Sequence, residues 1–234
     1  MVADHTAYSS WNDEYLDRDP RDLLAEVYQR YGQQVTLASS FGAEDVVLID
    51  MACQVNPSPE VFCLDTGLLF DETYQLIERI QSRYSIRFQA YRPRQTVAEQ
   101  ANEFGEALWL RDPNRCCALR KLEPLLRALD GKTAWISGIR REQSLTRKNA
   151  QLVEWDQSHQ LIKVNPLAYW TDQMVWDYIR DHELDYNPLH DQSYPSIGCV
   201  PCTRPVRPGE SARAGRWAGF DKTECGLHED EGES

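Results

Sequence analysis

Apolar residues in the first two-thirds of the chain fall into two alternating patterns. Residues 35–39, 61–64, 86–91 and 133–137 form short, mostly apolar runs bounded by polar or turn-forming residues, as buried strands do. Residues 45–52, 72–83, 96–104 and 116–129 instead space their apolar side chains for one face of a helix. Upstream, Asp19 caps a helix with Pro20 in its first turn; Leu23, Leu24 and Val27 form its inner face and Gly32 stops it. The alternation predicts an α/β chain: a mostly parallel, twisted sheet flanked by helices on both faces.

The pattern changes beyond Gly138. Residues 152–155 and 161–164 read as a short hairpin, and Thr171 caps a helix through Val175, Tyr178 and Ile179. From Tyr186 onward, Pro188, Pro195, Pro201, Pro205 and Pro208 interrupt any periodicity. That composition predicts an irregular, ligand-clamped loop leading into a mobile tail. In a parallel sheet, ligands bind beyond the carboxyl ends of the strands. The loops there are 39–45, 65–67, 92–94 and 138–141, which gather small, polar and basic residues where a nucleotide would sit.

Charge narrows the classes. The net charge of −12 argues against a nucleic-acid binder, which needs clustered Lys and Arg against phosphates. Basic residues are nevertheless grouped: Arg92, Arg94, Arg111, Arg115, Arg120 and Lys121; Arg140, Arg141, Arg147 and Lys148; Arg204, Arg207, Arg213 and Arg216. In an acidic chain such groups suit one small anionic ligand. No apolar run approaches the ~20 residues of a membrane span, and residues 1–17 lack the form of a secretory signal. The expected location is cytoplasmic, with no membrane or nucleic-acid partner.

The seven cysteines fall into three kinds. Cys53 and Cys63 lie inside apolar runs and read as small buried hydrophobes. Cys116-Cys117 and Cys199-x-x-Cys202 together could offer four thiolates, which suit structural zinc or an iron–sulfur cluster. Two redox disulfides are the alternative, disfavoured in a reducing compartment. Adjacent cysteines diverge, which fits the corners of a cubane better than one small ion. Cys225 stands apart in a polar segment, Lys222-Thr223-Glu224-Cys225-Gly226-Leu227-His228, where Lys222 and His228 could favour its thiolate.

Several segments together resemble one family. They are Ser39-Ser40-Phe41-Gly42-Ala43-Glu44-Asp45, Leu64-Asp65-Thr66-Gly67, Cys116-Cys117, the 196–203 segment Ser-Ile-Gly-Cys-Val-Pro-Cys-Thr, Arg213-Ala214-Gly215-Arg216-Trp217 and Glu224-Cys225-Gly226-Leu227-His228. The chain looks like the thioredoxin-dependent adenylyl-sulfate reductases of bacterial sulfate assimilation. Related ATP-pyrophosphatase-like enzymes wrap phosphates with a Ser-Gly-Gly loop. Here Ser39, Ser40 and Gly42 remain, but bulky Phe41 replaces a glycine, as if the loop held a shorter phosphosulfate anhydride.

The resemblance implies an adenine-nucleotide α-hydrolase-like fold and a [4Fe–4S] cluster on Cys116, Cys117, Cys199 and Cys202. It implies a nucleophile at Cys225, with His228 holding the segment or tuning the thiol. Residues 1–234 form one domain on this reading, with a nucleotide- and cluster-binding core over 19–203 and a tail over 204–234. Lys121, Arg147, Arg213 and Arg216 are the cations expected at the sulfonate and departing phosphate, ahead of Arg140 and Arg141. Ser39, Ser40, Gly42 and Gly138 belong to the expected substrate loops, Asp65 and Gly67 to its nucleoside end, and Leu64 touches adenine or ends a core strand.

The implied substrate is adenosine 5′-phosphosulfate, because a branch that takes the 3′-phosphorylated nucleotide mostly lacks the four cysteines. That branch, a non-catalytic nucleotide- or metal-sensing module and a zinc-bound ATP-pyrophosphatase relative are the alternatives. Cys225 has no second thiol in its tail, so release of sulfite calls for thioredoxin or a glutaredoxin-like reductant. A homo-oligomer is compatible with the sequence.

Overall fold

The computed structural model describes residue 8, residues 10–220, and Lys222, Glu224, Gly226 and Leu227. Its sheet has six strands: β1 (Val35–Ala38), β2 (Val61–Leu64), β3 (Phe88–Tyr91), β4 (Ala134–Ile136), β5 (Val153–Asp156) and β6 (Leu161–Val164). Their order is β3-β2-β1-β4-β6-β5. Leu37 of β1 pairs in parallel with Val61 on one side and Ile136 on the other. Only β5 runs antiparallel, returning along β6 with Val153 opposite Val164, as the predicted hairpin requires. The chain leaves β1 toward β2 and later returns to its other flank as β4. The strand order thus reverses at β1, the position where such sheets open a ligand crevice.

The helices are α1 (Trp11–Glu14), α2 (Pro20–Tyr31), α3 (Ala43–Val55), α4 (Asp71–Tyr84), α5 (Val97–Phe104), α6 (Leu108–Arg111), α7 (Pro113–Cys117), α8 (Glu123–Leu129) and α9 (Asp172–Asp181). The main core joins Leu24 and Val27 of α2, Val47 and Ile49 of α3, Leu76 of α4 and Val175 and Ile179 of α9 to Leu37 and Ile136 of the sheet. A second cluster holds Leu125 and Leu129 of α8 against Phe62 and Trp135. Among the described residues, no helix is long and apolar enough to cross a membrane.

Local chemistry sets several of these boundaries. Asp19 accepts from the Arg21 backbone N–H at 2.9 Å, and Thr96 forms a capping box with Glu99. The helix expected over 116–129 is not continuous, because α7 and α8 are joined by a π-helical turn, Ala118–Leu122. Pro124 accounts for the break: it lacks an N–H, and in regular α-helix its ring would strike the Arg120 carbonyl. A wider turn relieves that collision.

The chain beyond α9 packs back onto the core. Leu69 bridges to Cys199 and Thr203 to Arg216. The Arg204 N–H donates to the Gly215 carbonyl at 2.9 Å, and the Trp217 N–H donates to the Cys202 carbonyl at 3.0 Å. Gly215 is obligatory in this arrangement, since a Cβ there would collide with the Arg204 carbonyl oxygen.

Candidate active site

A cleft of about 1000 Å³ opens at the carboxyl ends of β1, β2 and β4. It is lined by Ser39, Ser40, Gly42, Leu64 and Gly138, and on its other wall by Lys121, Arg147, Arg213 and Arg216. Asp65 and Gly67 are not part of that lining. Asp65 instead braces its loop: its carboxylate accepts from Tyr74 Oη at 2.7 Å, Arg92 Nε at 2.8 Å and the Gly67 N–H at 3.1 Å. Burial raises the Asp65 pKa, but those hydrogen bonds together outweigh it and hold the carboxyl below its usual range.

The first loop is shaped by Asp45. Its Oδ2 accepts from the Ser40 N–H at 2.6 Å and from Ser40 Oγ at 2.8 Å, while the Phe41 N–H donates to Ser39 Oγ at 3.1 Å. Gly42 then caps α3, whose N-terminus meets the cleft. Gly138 must stay bare, because a Cβ there would strike the Asp45 carboxylate.

Phe41 does not fill the loop as its bulk suggests. Its φ of +60° turns the ring into the core, where it lies edge-on to Phe88 with centroids 5.0 Å apart. The backbone keeps the left-handed turn that a glycine would supply. Phe41 therefore gives no ground for separating this loop from its ATP-binding counterparts.

Burial pushes Asp45 up to about 6, against the lowering effect of the Ser40 hydrogen bonds. A carboxyl with a raised folded-state pKa binds its proton more tightly when folded. Its effect on stability is therefore unfavourable above about 6 and is relieved as pH falls toward its unfolded value of ~3.9. Asp45→Asn is expected to flatten this part of the stability profile between about pH 4 and 6. Urea unfolding across that range checks it, and an unchanged profile would count against the assignment.

Several of the basic residues grouped in sequence turn out to be paired. Arg140, almost fully buried, meets Glu44, Glu142 and Asp172, and Arg92, Arg94 and Arg204 pair with Asp65, Glu123 and Glu210. Arg141 lies over the Tyr169 ring, 3.9 Å from its centroid, and donates to Tyr169 Oη. Arg147 and Arg213 both contact the carboxylate of Glu224, each at 2.8 Å. Among the described residues Arg216 donates to neutral acceptors, Ser196 Oγ at 3.1 Å and the Ile197 carbonyl at 3.3 Å. Its Nε is buried without a partner among the described residues, and its guanidinium lies over the Trp217 ring.

Cys116, Cys117, Cys199 and Cys202 line one small second cavity with Arg120, Lys121 and Trp217. Lys121 and Trp217 line both this cavity and the cleft. The two cysteine pairs come from the end of α7 and from the flanks of a 3₁₀ turn, Val200–Cys202. All six cysteines among the described residues are free thiols. Burial, then the neighbouring Cys117, Cys199 and Cys202, push the Cys116 thiol up to about 12, and burial, then Cys199 and Cys117, take Cys202 to about 11. Among the described residues no group of three or more Cys, His, Asp or Glu side chains is placed to hold a single metal ion.

Sequence reasoning undervalued Arg120. It is 3% exposed and donates to the Thr66 carbonyl at 2.8 Å and Gln100 Oε1 at 3.1 Å. It forms no ion pair with a carboxylate among the described residues. Burial lowers its pKa, and Cys116 and Cys199 are the first charges that oppose this. A buried guanidinium beside four sulfurs suits an anionic centre. Its place on the π turn was the missing signal. Cys53 and Cys63 pack against the core as small hydrophobes. Cys225 and His228 lie outside the described residues.

A parallel sheet with a crevice at its switch point, joined to a four-thiol cavity, defines a nucleotide-binding α/β protein with a cysteine centre. The phosphoadenosine phosphosulfate reductase domain matches residues 34–205, and the chain belongs to that family. It is 50% identical to "Adenosine 5′-phosphosulfate reductase 2" of Bacillus subtilis over 230 residues, covering 95% of this chain and 98% of that one. It is 52% identical to "Adenosine 5′-phosphosulfate reductase" of Geobacillus thermodenitrificans over 208 residues, 88% of each. Among solved structures, phosphoadenylyl-sulfate reductase from Candida auris, in a phosphate complex, superposes with a TM-score of 0.77 at 25% identity, covering 87% of this chain and 99% of that chain.

Proposed function

We propose that this chain reduces adenosine 5′-phosphosulfate to sulfite and AMP in assimilatory sulfate reduction, with electrons from a thioredoxin-like or glutaredoxin-like dithiol. The observation that carries this reading is the contiguity of the cleft and the four-cysteine cavity through Lys121 and Trp217. The relatives' names favour the same substrate over its 3′-phosphorylated form. A cytoplasmic location goes with this reading, since reduced thiols and a dithiol donor belong to a reducing compartment.

The donor set fits a [4Fe–4S] cluster held by Cys116, Cys117, Cys199 and Cys202. Cys116 and Cys202, whose ionisation is opposed by burial and by the neighbouring thiols, become thiolates only with compensating positive charge. When bound, the cluster supplies that charge and ties the α7 end to the C-terminal loop.

The protein's own groups carry the reaction. The Cys225 thiolate attacks the sulfur, forming an S–S bond as the S–O bond to AMP breaks and its electron pair leaves on the phosphate. Lys121 and Arg216, which line the cleft, stabilise on this reading the negative charge that gathers on the sulfonate and the departing phosphate. His228 steadies the segment around the thiol. A thiolate of the partner then attacks Cys225 Sγ and releases sulfite, and the partner's second thiol frees Cys225 while forming its own disulfide. The partner dithiol supplies the two electrons that reduce the sulfur.

The test is anaerobic purification followed by assay of each nucleotide with reduced thioredoxin. Brown protein with matched iron and acid-labile sulfide, and sulfite from the unphosphorylated nucleotide, are expected. Colourless, zinc-loaded protein would overturn the cluster. Faster turnover of the 3′-phosphorylated nucleotide would overturn the substrate, and no sulfite from either would overturn the enzyme.

A further inference from the structure

Glu224 is 4% exposed and set in a ring of donors from a distant part of the chain. Arg147 binds it bidentately, Nε to Oε1 at 3.0 Å and Nη2 to Oε2 at 2.8 Å. Arg213 Nη2 donates to Oε2 at 2.8 Å, and Ser144 Oγ and Thr146 Oγ1 donate to Oε1 at 3.2 and 3.1 Å. Charge-assisted, bidentate contacts of this kind are the strong ones. Three residues on, Leu227 packs against both the Phe62–Leu125–Trp135 cluster and the Cys117–Trp217 pair. Two residues before Glu224, Lys222 donates to Asn114 and sits over the Trp217 ring. Glu224 and Leu227 are thus both fixed at the cleft, the first by charge and the second by apolar packing.

This arrangement divides the four cations expected at the substrate. Arg147 and Arg213 are committed to a buried carboxylate. To take substrate oxyanions they would first have to release Glu224, at the cost of separating a buried, hydrogen-bonded charge group. Among the described residues Arg216 donates to neutral acceptors, the Ser196 hydroxyl and the Ile197 carbonyl, and forms no ion pair with a carboxylate. Arg216 and Lys121 line the same cleft.

We propose that Arg147 and Arg213 serve the reaction through Glu224: the two arginines seat the tail, and Glu224 is a positioning residue for the nucleophile beside it. Substrate oxyanions fall to Lys121 and Arg216. The proposal rests on the reductase reading above, and its test separates the two.

Glu224→Gln, which keeps the shape but removes the charge, and Arg147→Gln are compared with the wild type in single turnovers. The sulfonate adduct on Cys225 is followed by mass spectrometry. Dissociation constants for adenosine 5′-phosphosulfate are measured in the same variants carrying Cys225→Ser. Both variants are expected to form adduct about 100-fold more slowly, the scale of a misplaced reacting group. Nucleotide affinity should change by less than about threefold, and the double variant should be no slower than the slower single one. Glu224→Asp, which keeps the charge on a shorter arm, should fall between Gln and wild type and carries the test should the Gln variant fail to fold.

A Glu224→Gln protein reacting at the wild-type rate would overturn the proposal. So would Arg147→Gln weakening nucleotide binding tenfold or more while Glu224→Gln leaves adduct formation unchanged. If the wild type itself forms no adduct, the reductase reading fails instead.

Discussion

Cys225→Ser is expected to lower sulfite release by about 10⁴-fold or more, because a serine hydroxyl is neither ionised at neutral pH nor soft enough to attack sulfur. Nucleotide binding should persist, since the cleft is built by Ser39, Ser40, Gly138 and the cationic wall. Mass spectrometry should find the sulfonate adduct on the wild type and none on the variant. Serine at Cys53 or Cys63 should leave adduct formation intact in whatever protein folds, because both pack against the core. An adduct on the Cys225→Ser protein would remove this cysteine from the mechanism. An external dithiol would then no longer follow from the chain's own thiols.

Phe41→Ala is expected to destabilise the fold by about 3–5 kcal/mol, the usual range for deleting a fully buried aromatic ring. Phe41 is 1% exposed and contacts Phe88 edge-on, so the ring leaves a cavity at the heart of the main core. The backbone adds a sharper expectation. At a φ of +60° any residue with a Cβ is strained by about 1–2 kcal/mol, a cost glycine does not have. Phe41→Gly should therefore be more stable than Phe41→Ala by about 1 kcal/mol, the reverse of the order within a helix or strand. Urea unfolding of the two variants decides it. If alanine proves the more stable, the left-handed turn is not part of the folded state.

The strands β1, β2 and β4 were legible because parallel strands covered on both faces carry continuous apolar runs. Caps such as Asp19 and Thr171 were legible because each acts on a backbone N–H two or three residues away. The start of α3 was placed two residues late, since Gly42 caps it without a side-chain signal. The π turn escaped because helical spacing cannot distinguish one extra residue, although Pro124 marked the collision that causes it. The four cysteines could be grouped by spacing, but not their shared cavity with Arg120. Phe41 was read by size, while its direction depends on a backbone angle. Asp65 was expected at the nucleoside end, but its hydrogen bonds to Tyr74 and Arg92, 9 and 27 residues away, carried no local signal. The Glu224–Arg147 pair spans 77 residues, and no local pattern records so distant a contact.

The π turn between α7 and α8 also acts as a dial. Successive α-helical residues are turned by about 100°, so dropping the extra residue would rotate α7 by that amount relative to α8. Arg120 now lies inward against Thr66 and Gln100, while Lys121 meets the cleft. A rotation of that size would carry one cation out of its place and swing Cys116 and Cys117 away from Cys199 and Cys202. A deletion of one codon within 118–122 would thus act on both cavities while touching neither their cysteines nor their loops. In this stretch of chain the count of residues, as much as their identity, is under constraint.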